Sequence, residues 1–361
     1  MHKTNRTLKQ LFNLLAIGAI AFMSFALSSC GGSSPTPTTT RPGSWEQIAN
    51  FSGIGRSGAA SFVIDNKAYV GGGFDTDGRR LNDWWQFDPA KNGWVKKTDF
   101  PGAARSAAVA FTIGNKGYVG TGIGTTSNRL KDFWEFDPAG NSGAGFWRRV
   151  TDFGDAITET GRFGCVAFTV SNRGFVAAGF GGSALNDLWE FVPDINGGLG
   201  SWTQRTGISF KRVNAVVFTI GNFAYVLGGS NNAQNIRNVE QYDPTTDTWT
   251  QKLALNQRDE NGNKIDQPTS RDLAATFTID GSGYIVGGSL NGNPLADVWQ
   301  YNPSTDRWIQ HYALNNQFGG VARDAAVGFG IGSFGYVTTG RNGNFRLDDT
   351  IKFNPTGTPP L

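Results

Sequence analysis

One unit recurs six times along this chain, and any fold available to it must use that unit six times over. Six arginines set the register: Arg56, Arg105, Arg162, Arg212, Arg271 and Arg323. Six positions after each stands a phenylalanine (Phe62, Phe111, Phe168, Phe218, Phe277, Phe329), and thirteen after each an aromatic (Tyr69, Tyr118, Phe175, Tyr225, Tyr284, Tyr336). Seventeen after each is a glycine: Gly73, Gly122, Gly179, Gly229, Gly288 and Gly340. No insertion breaks this spacing. Every copy continues into an aromatic-rich segment ending in proline, such as LNDWWQFDP or LADVWQYNP. A tryptophan follows in five copies (Trp94, Trp147, Trp202, Trp249, Trp308), and Trp45 precedes the first copy.

The unit resolves into four strands. Strand a is expected from the arginine to the isoleucine or valine two past the phenylalanine, with small residues (Ala59, Ala108, Cys165, Ala215, Ala274, Ala326) on the opposite parity. Alternation at period two with both faces fairly apolar fits a sheet packed between two others. Cys165 then reads as a buried, inert thiol. A turn of Asn, Asp, Gly or Ser leads into strand b, which ends at the glycine. Strand c carries the aromatic-rich segment, and strand d begins at the tryptophan. With 50 glycines, 27 phenylalanines and 2 methionines, the composition suits many short strands and tight turns rather than long helices. The last copy stops without a tryptophan strand, and Trp45 supplies a lone one at the other end. Sharing one sheet between the termini satisfies both orphan edges and closes a ring. The expected fold is all-β: a six-bladed propeller of four-stranded blades over residues 44–361.

A repeat of roughly 50 residues with these features resembles the Kelch family, in the variant common in Bacteroidetes proteins labelled galactose-oxidase-like. Blade four, with Glu240 where others carry Trp, and blade six, with Ile351, depart from its strand c pattern. The resemblance implies a binding module that uses one face of the ring. That top face holds the b–c loops (FDTDGRR, IGTTSNR, FGGSA, SNNAQN, LNGNP, RNGNF) and the segments before each arginine. In Kelch proteins that bind acidic peptides, arginines where the innermost strand begins contact carboxylates. The resemblance therefore implies a ligand-binding ring of Arg56, Arg105, Arg162, Arg212, Arg271 and Arg323. The alternative is architectural. Asp83, Asp132, Asp187, Asp297 and Asp349 recur near the start of strand c, and one-to-one Arg–Asp pairing would explain both sets. Blade four has Asn238 at that position, which leaves Arg212 the freest of the six.

Galactose oxidase binds copper through two histidines and tyrosines, one crosslinked to cysteine. Beyond the leader, this chain holds a single histidine, His311, so no such set can be assembled and no metal or other cofactor is expected. The favoured function is a non-catalytic interaction module for a protein or glycan, acting as a monomer. The rival is a sugar mutarotase or epimerase of the sialic-acid type, also a six-bladed Kelch fold, working through an acid beside an arginine.

The N-terminus adds an address. Lys3, Arg6 and Lys9 precede an apolar run from Leu11 to Leu27, the order found in a secretory leader. Leu27-Ser28-Ser29-Cys30 then resembles the bacterial lipobox, so residues 1–29 are read as a lipoprotein signal peptide and Cys30 as the lipidated residue. Residues 30–43, rich in Gly, Ser, Pro and Thr, form a flexible tether. No acid follows Cys30, which favours the outer membrane, facing either the periplasm or the surface. Three of the 32 basic residues lie in the leader, so 29 face 29 acids in the remainder. Such a neutral chain offers no footprint for nucleic acid.

Overall fold

The computed structural model describes residues 41–358 apart from 155–159, 196, 259–260 and 316–319. The leader and Cys30 lie outside these residues. Six four-stranded antiparallel sheets follow one another, with a single 3₁₀ turn at Asn141–Gly143 and no α-helix among the described residues. Blade one shows the pattern: strand a Ala60–Ile64, b Lys67–Gly71, c Trp84–Asp88 and d Gly93–Lys96. The a–b turn is a two-residue hairpin with both Asp65 and Asn66 at positive φ (49° and 55°), the geometry whose twist matches the flanking strands.

Alternation along strand a decides what each side meets. Ala60, Phe62 and Ile64 are buried between blades, whereas Ser61 and Val63 are half-buried at the wall of a central channel. The buried aromatics knit neighbouring sheets together. Phe62 and Tyr69 of blade one meet Phe136 of blade two at 5.9 and 5.4 Å, and Trp84 meets Trp147 edge-on at 5.2 Å. On its other side blade one meets blade six, with Phe87 5.6 Å from Tyr336. Each sheet thus buries both faces, which is why both parities of strand b are apolar.

Blade six takes its fourth strand from the other end of the described chain. Ser44–Gln47 pairs antiparallel with Thr350–Asn354, placing Trp45 opposite Phe353 with rings 4.8 Å apart. The Trp45 indole N–H donates to the Tyr312 carbonyl of blade five at 3.0 Å.

One expectation needs correction. Strand a does not begin at the arginine. Arg56–Ser57 forms a separate short ladder with Phe74–Asp75, and the continuous strand starts at Ala60. Between them the chain turns left-handed at the residue two past each arginine: Gly58, Ala107, Gly164, Asn214, Leu273 and Ala325, all at φ between 50° and 63°. Four of these are not glycine, at roughly 1 kcal/mol of strain each. What the turn gains is inter-blade pairing. Ala107 N–H donates to the Gly58 carbonyl, and Gly164, Asn214, Leu273 and Ala325 each donate to the preceding blade in the same way. Gly58 then donates to Ala325, closing a hydrogen-bonded ring at 2.8–3.3 Å around the channel mouth.

A second ring explains the recurring glycine. Gly73 donates to the Arg105 carbonyl, and the pattern runs on until Gly340 donates to Arg56. These glycines sit at φ of 81–102°, and a Cβ at any of them would lie 3.0 Å or less from the carbonyl oxygen of the residue after the arginine. Only glycine satisfies both conditions. Blade six also carries Gly328 and Gly330 on strand a, where a Cβ would meet the Thr276 and Thr278 carbonyls of blade five at 2.6 and 2.3 Å.

Candidate functional site

The six arginines lie inside the blades, 0–3% exposed. Arg56 donates to both Asp83 oxygens at 2.6 and 2.7 Å and to the Gly72 carbonyl, closing off the b–c loop it faces. Arg162, Arg271 and Arg323 make the same bidentate contacts to Asp187, Asp297 and Asp349, and Arg105 makes one contact to Asp132 at 2.6 Å. Trp85, Trp134, Trp189 and Trp299 add an indole N–H to the same carboxylates. Burial pushes the Asp83, Asp132 and Asp297 carboxyls up, but hydrogen bonds and charge from the arginines outweigh it and hold them below the usual range. The pairing geometry is therefore present in each of these blades, and it turns the guanidinium groups away from solvent.

Blade four is the exception, in the opposite sense to the expectation that Arg212 would be freest. Glu240, standing where other blades have tryptophan, reaches Arg212 at 2.7 Å with both side chains buried (0% and 2% exposed). Its second oxygen accepts the Ser209 N–H at 3.1 Å. One longer acid replaces the usual Asp–Trp couple. Burial lowers the Arg212 pKa to about 10 against the opposing pull of Glu240, which makes this the most desolvated of the six pairs.

Since the framework repeats, function must lie in what differs between blades. The residue after each arginine pairs across the short ladder with the residue after each glycine, at the rim of the channel. Around the ring these pairs are Ser57–Phe74, Ser106–Ile123, Phe163–Phe180, Val213–Ser230, Asp272–Ser289 and Asp324–Arg341. Blades one to three present aromatic or aliphatic groups there. Blades five and six present charge. The mouth cavity just inside this rim holds about 150 Å³, and its lining includes Ala59, Ala107, Asn214 and Leu273. Cys165, expected to be buried, is partly exposed in the same wall.

At the charged side, Arg341 donates to Asp324 at 2.5 Å, and Asp324 is 2% exposed. Asp272 has no such cation to itself. Burial, the neighbouring Asp324 charge and only a partial offset from Ser230 and Arg341 push its carboxyl up to about 6. A carboxyl poised there beside an arginine can give or take a proton at neutral pH. Sequence reasoning did not single out Asp272, Asp324 or Arg341. The available signal was their position: each follows a framework residue and breaks the pattern of the other copies.

Comparison with known proteins agrees with this architecture. The family described as KLHDC2/KLHL20/DRC7 Kelch-repeats domain matches residues 38–207, and the Kelch motif matches residues 211–252 and 270–310. The chain is a Kelch-repeat β-propeller. Human Kelch-like protein 6 is 30% identical over 93 residues, 26% of this chain and 14% of that protein. An F-box/kelch-repeat protein of Arabidopsis thaliana is 29% identical over 127 residues, 35% of this chain and 31% of its own length. This Kelch propeller thus spans less than a third of the length of either relative. His311 is buried at the blade five–six junction, hydrogen-bonded to Gln300 at 2.8 Å and packed on Phe353. Among the described residues no group of three or more His, Cys, Asp or Glu is placed to hold a metal ion.

Proposed function

We propose that this Kelch propeller is an interaction module whose top rim binds a protein partner, with a glycan as the other ligand class its polar loops could serve. The observation that carries the reading is the contrast between positions. Framework residues repeat in all six blades, while the rim pairs change from apolar to charged around one mouth. Two closed hydrogen-bond rings hold those pairs rigidly, so a partner docks on a preformed surface with little ordering cost. The match to Kelch-repeat families supports a protein ligand. The test is co-purification of a defined partner with the wild-type chain and with Phe180→Ser and Asp324→Asn variants. Loss of the partner with retained melting temperature supports the rim; undiminished capture by both variants rejects it.

The rival reading, sugar mutarotation of the sialic-acid type, gains one specific support in Asp272, whose raised carboxyl lies beside Asp324 and Arg341. Anomer interconversion followed by NMR decides it: rates matching buffer, or unchanged in Asp272→Asn, dismiss the enzyme. We further propose that Cys30 is diacylated and tethers the propeller to the outer membrane, on the strength of the leader and lipobox order. A Cys30→Ala variant that still labels with radioactive palmitate would reject this.

A further inference from the structure

The position after each framework arginine carries Ser57, Ser106, Phe163, Val213, Asp272 and Asp324 around the ring. The two acids fall on neighbouring blades and differ in what holds them. Asp324 accepts from Arg341, the residue opposite it on its own ladder, and Arg346 of the same hairpin lies over the Phe74 ring of blade one. Both cations belong to blade six. Asp75, the further acid in their field, is engaged by Arg79 at 2.8 Å. Asp272 has no such cation on blade five, because Arg271 before it is buried against Asp297. The side-chain donor to its carboxyl is a neutral one, the Ser230 hydroxyl of blade four. Its ladder partner is Ser289, joined by backbone hydrogen bonds of 3.0 and 2.8 Å. Residues opposite one another on a ladder project from one face, so the Ser289 hydroxyl stands beside the Asp272 carboxyl. Ser289 is 4% exposed, and that hydroxyl has no hydrogen bond among the described residues. The Asp324 charge raises the Asp272 carboxyl, so an incoming cation would relieve existing repulsion.

The next rim pairs are uncharged. Val213 stands opposite Ser230 on blade four, and blade three follows with Phe163 and Phe180, their rings 5.3 Å apart. Below them the mouth cavity of about 150 Å³ is lined by Leu273 and Asn214, which share a backbone hydrogen bond of 3.1 Å. A space of that size takes one side-chain-sized group. A long basic side chain meets all of these conditions: an aliphatic stem for the apolar arc, and charged N–H donors for the carboxylate and the open hydroxyl.

We propose that Asp272, with Ser289 and Ser230, forms a subsite for a lysine or arginine side chain of a partner protein, whose stem lies against Val213, Phe163 and Phe180. The proposal rests on the reading of the top rim as a protein-binding surface and adds the chemistry of one contact. Blade five supplies Asp272 and Ser289 and blade four supplies Ser230, so neither blade holds the subsite by itself.

The probe is a display library of random dodecapeptides selected on the purified chain at pH 7.5. The expected enrichment is Lys or Arg at one position. A fluorescein-labelled, histidine-free member should lose about tenfold in affinity with Asp272→Asn, and equally when its basic residue becomes Met. Ser289→Ala should cost about threefold, with unchanged melting. With the Asp272 carboxyl pushed up to about 6, the same peptide should bind about fivefold more weakly at pH 5 than at pH 7.5. Asp272→Asn should lose that pH difference. A library that yields no binder, selection without basic bias, equal binding by Asp272→Asn, or a pH difference that survives in that variant overturns the subsite. Peptides without a basic residue that bind and are lost with Phe180→Ser overturn it while leaving the rim reading intact.

Discussion

The buried pair in blade four yields the sharpest test of how this ring is held. Glu240→Gln preserves shape and one hydrogen bond but leaves the Arg212 guanidinium, fully buried, without a counter-charge. Breaking a buried pair from one side costs about 3–5 kcal/mol, because the remaining charge must stay desolvated. A closed ring of roughly 320 residues unfolding as one unit gains about 0.7 kcal/mol/K of entropy, so the melting temperature should fall by about 4–7 °C. Circular dichroism melts at pH 7 in moderate salt read this directly. Glu46→Gln is the control: its partner Lys352 lies 3.4 Å away, Glu46 is 67% exposed, and such a pair should move the melt by about a degree or less. Grafting the arrangement of blade one, Asn238→Asp with Glu240→Trp, should restore most of the loss by returning an acid to Arg212 and a ring to the blade face. A Glu240→Gln protein melting with the wild type would refute the claim that this pair bears on stability at all.

Three further outcomes are expected. Burial lowers the His311 pKa, so the fold favours neutral imidazole; its contribution is intact above the unfolded value of about 6.5 and is lost as pH falls below it. His311→Gln should therefore flatten the decline in melting temperature between pH 7 and pH 5, and an unchanged slope would contradict the assignment. Asp272 has the opposite sign: its carboxyl is raised, so whatever stability it contributes is present below about pH 4 and lost as pH rises through about 6. Asp272→Asn should raise the melting temperature at pH 7 and leave it unchanged at pH 4; equal effects at both would be inconsistent with a raised carboxyl. Trp45→Ala should cost about 3–5 kcal/mol by emptying the closure between Phe353 and Tyr312, and limited proteolysis should then open the 350–354 strand first. Unaltered cleavage would mean the termini do not clasp the ring.

Much of this architecture was legible because it is local and periodic. The spacing from arginine to phenylalanine to glycine is set within one sheet, where residue identity follows from alternation, turn geometry and a left-handed glycine. The Arg–Asp partnership could be read too, since both members recur at fixed offsets. The outcome at blade four could not, because whether Glu240 reaches Arg212 depends on a side chain crossing to fill a space that tryptophan fills elsewhere. The left-handed break after each arginine was also hidden. Ala107, Leu273 and Ala325 carry no local signal for positive φ, and it is the neighbouring blade's carbonyl that compensates their strain.

The candidate site divides along the same line. Sequence alone determined that six equivalent units exist, what each repeats, and that the loops between them differ. Only the closed ring decided which of those differences become neighbours. Asp272 and Asp324 belong to separate blades, and Arg346 meets Phe74 from the far end of the chain, because curvature brings their rims to one mouth. A repeat specifies contacts within itself and to the next copy. The meeting of first and last copies depends on how every interface between them is angled, and no single stretch of chain encodes that sum.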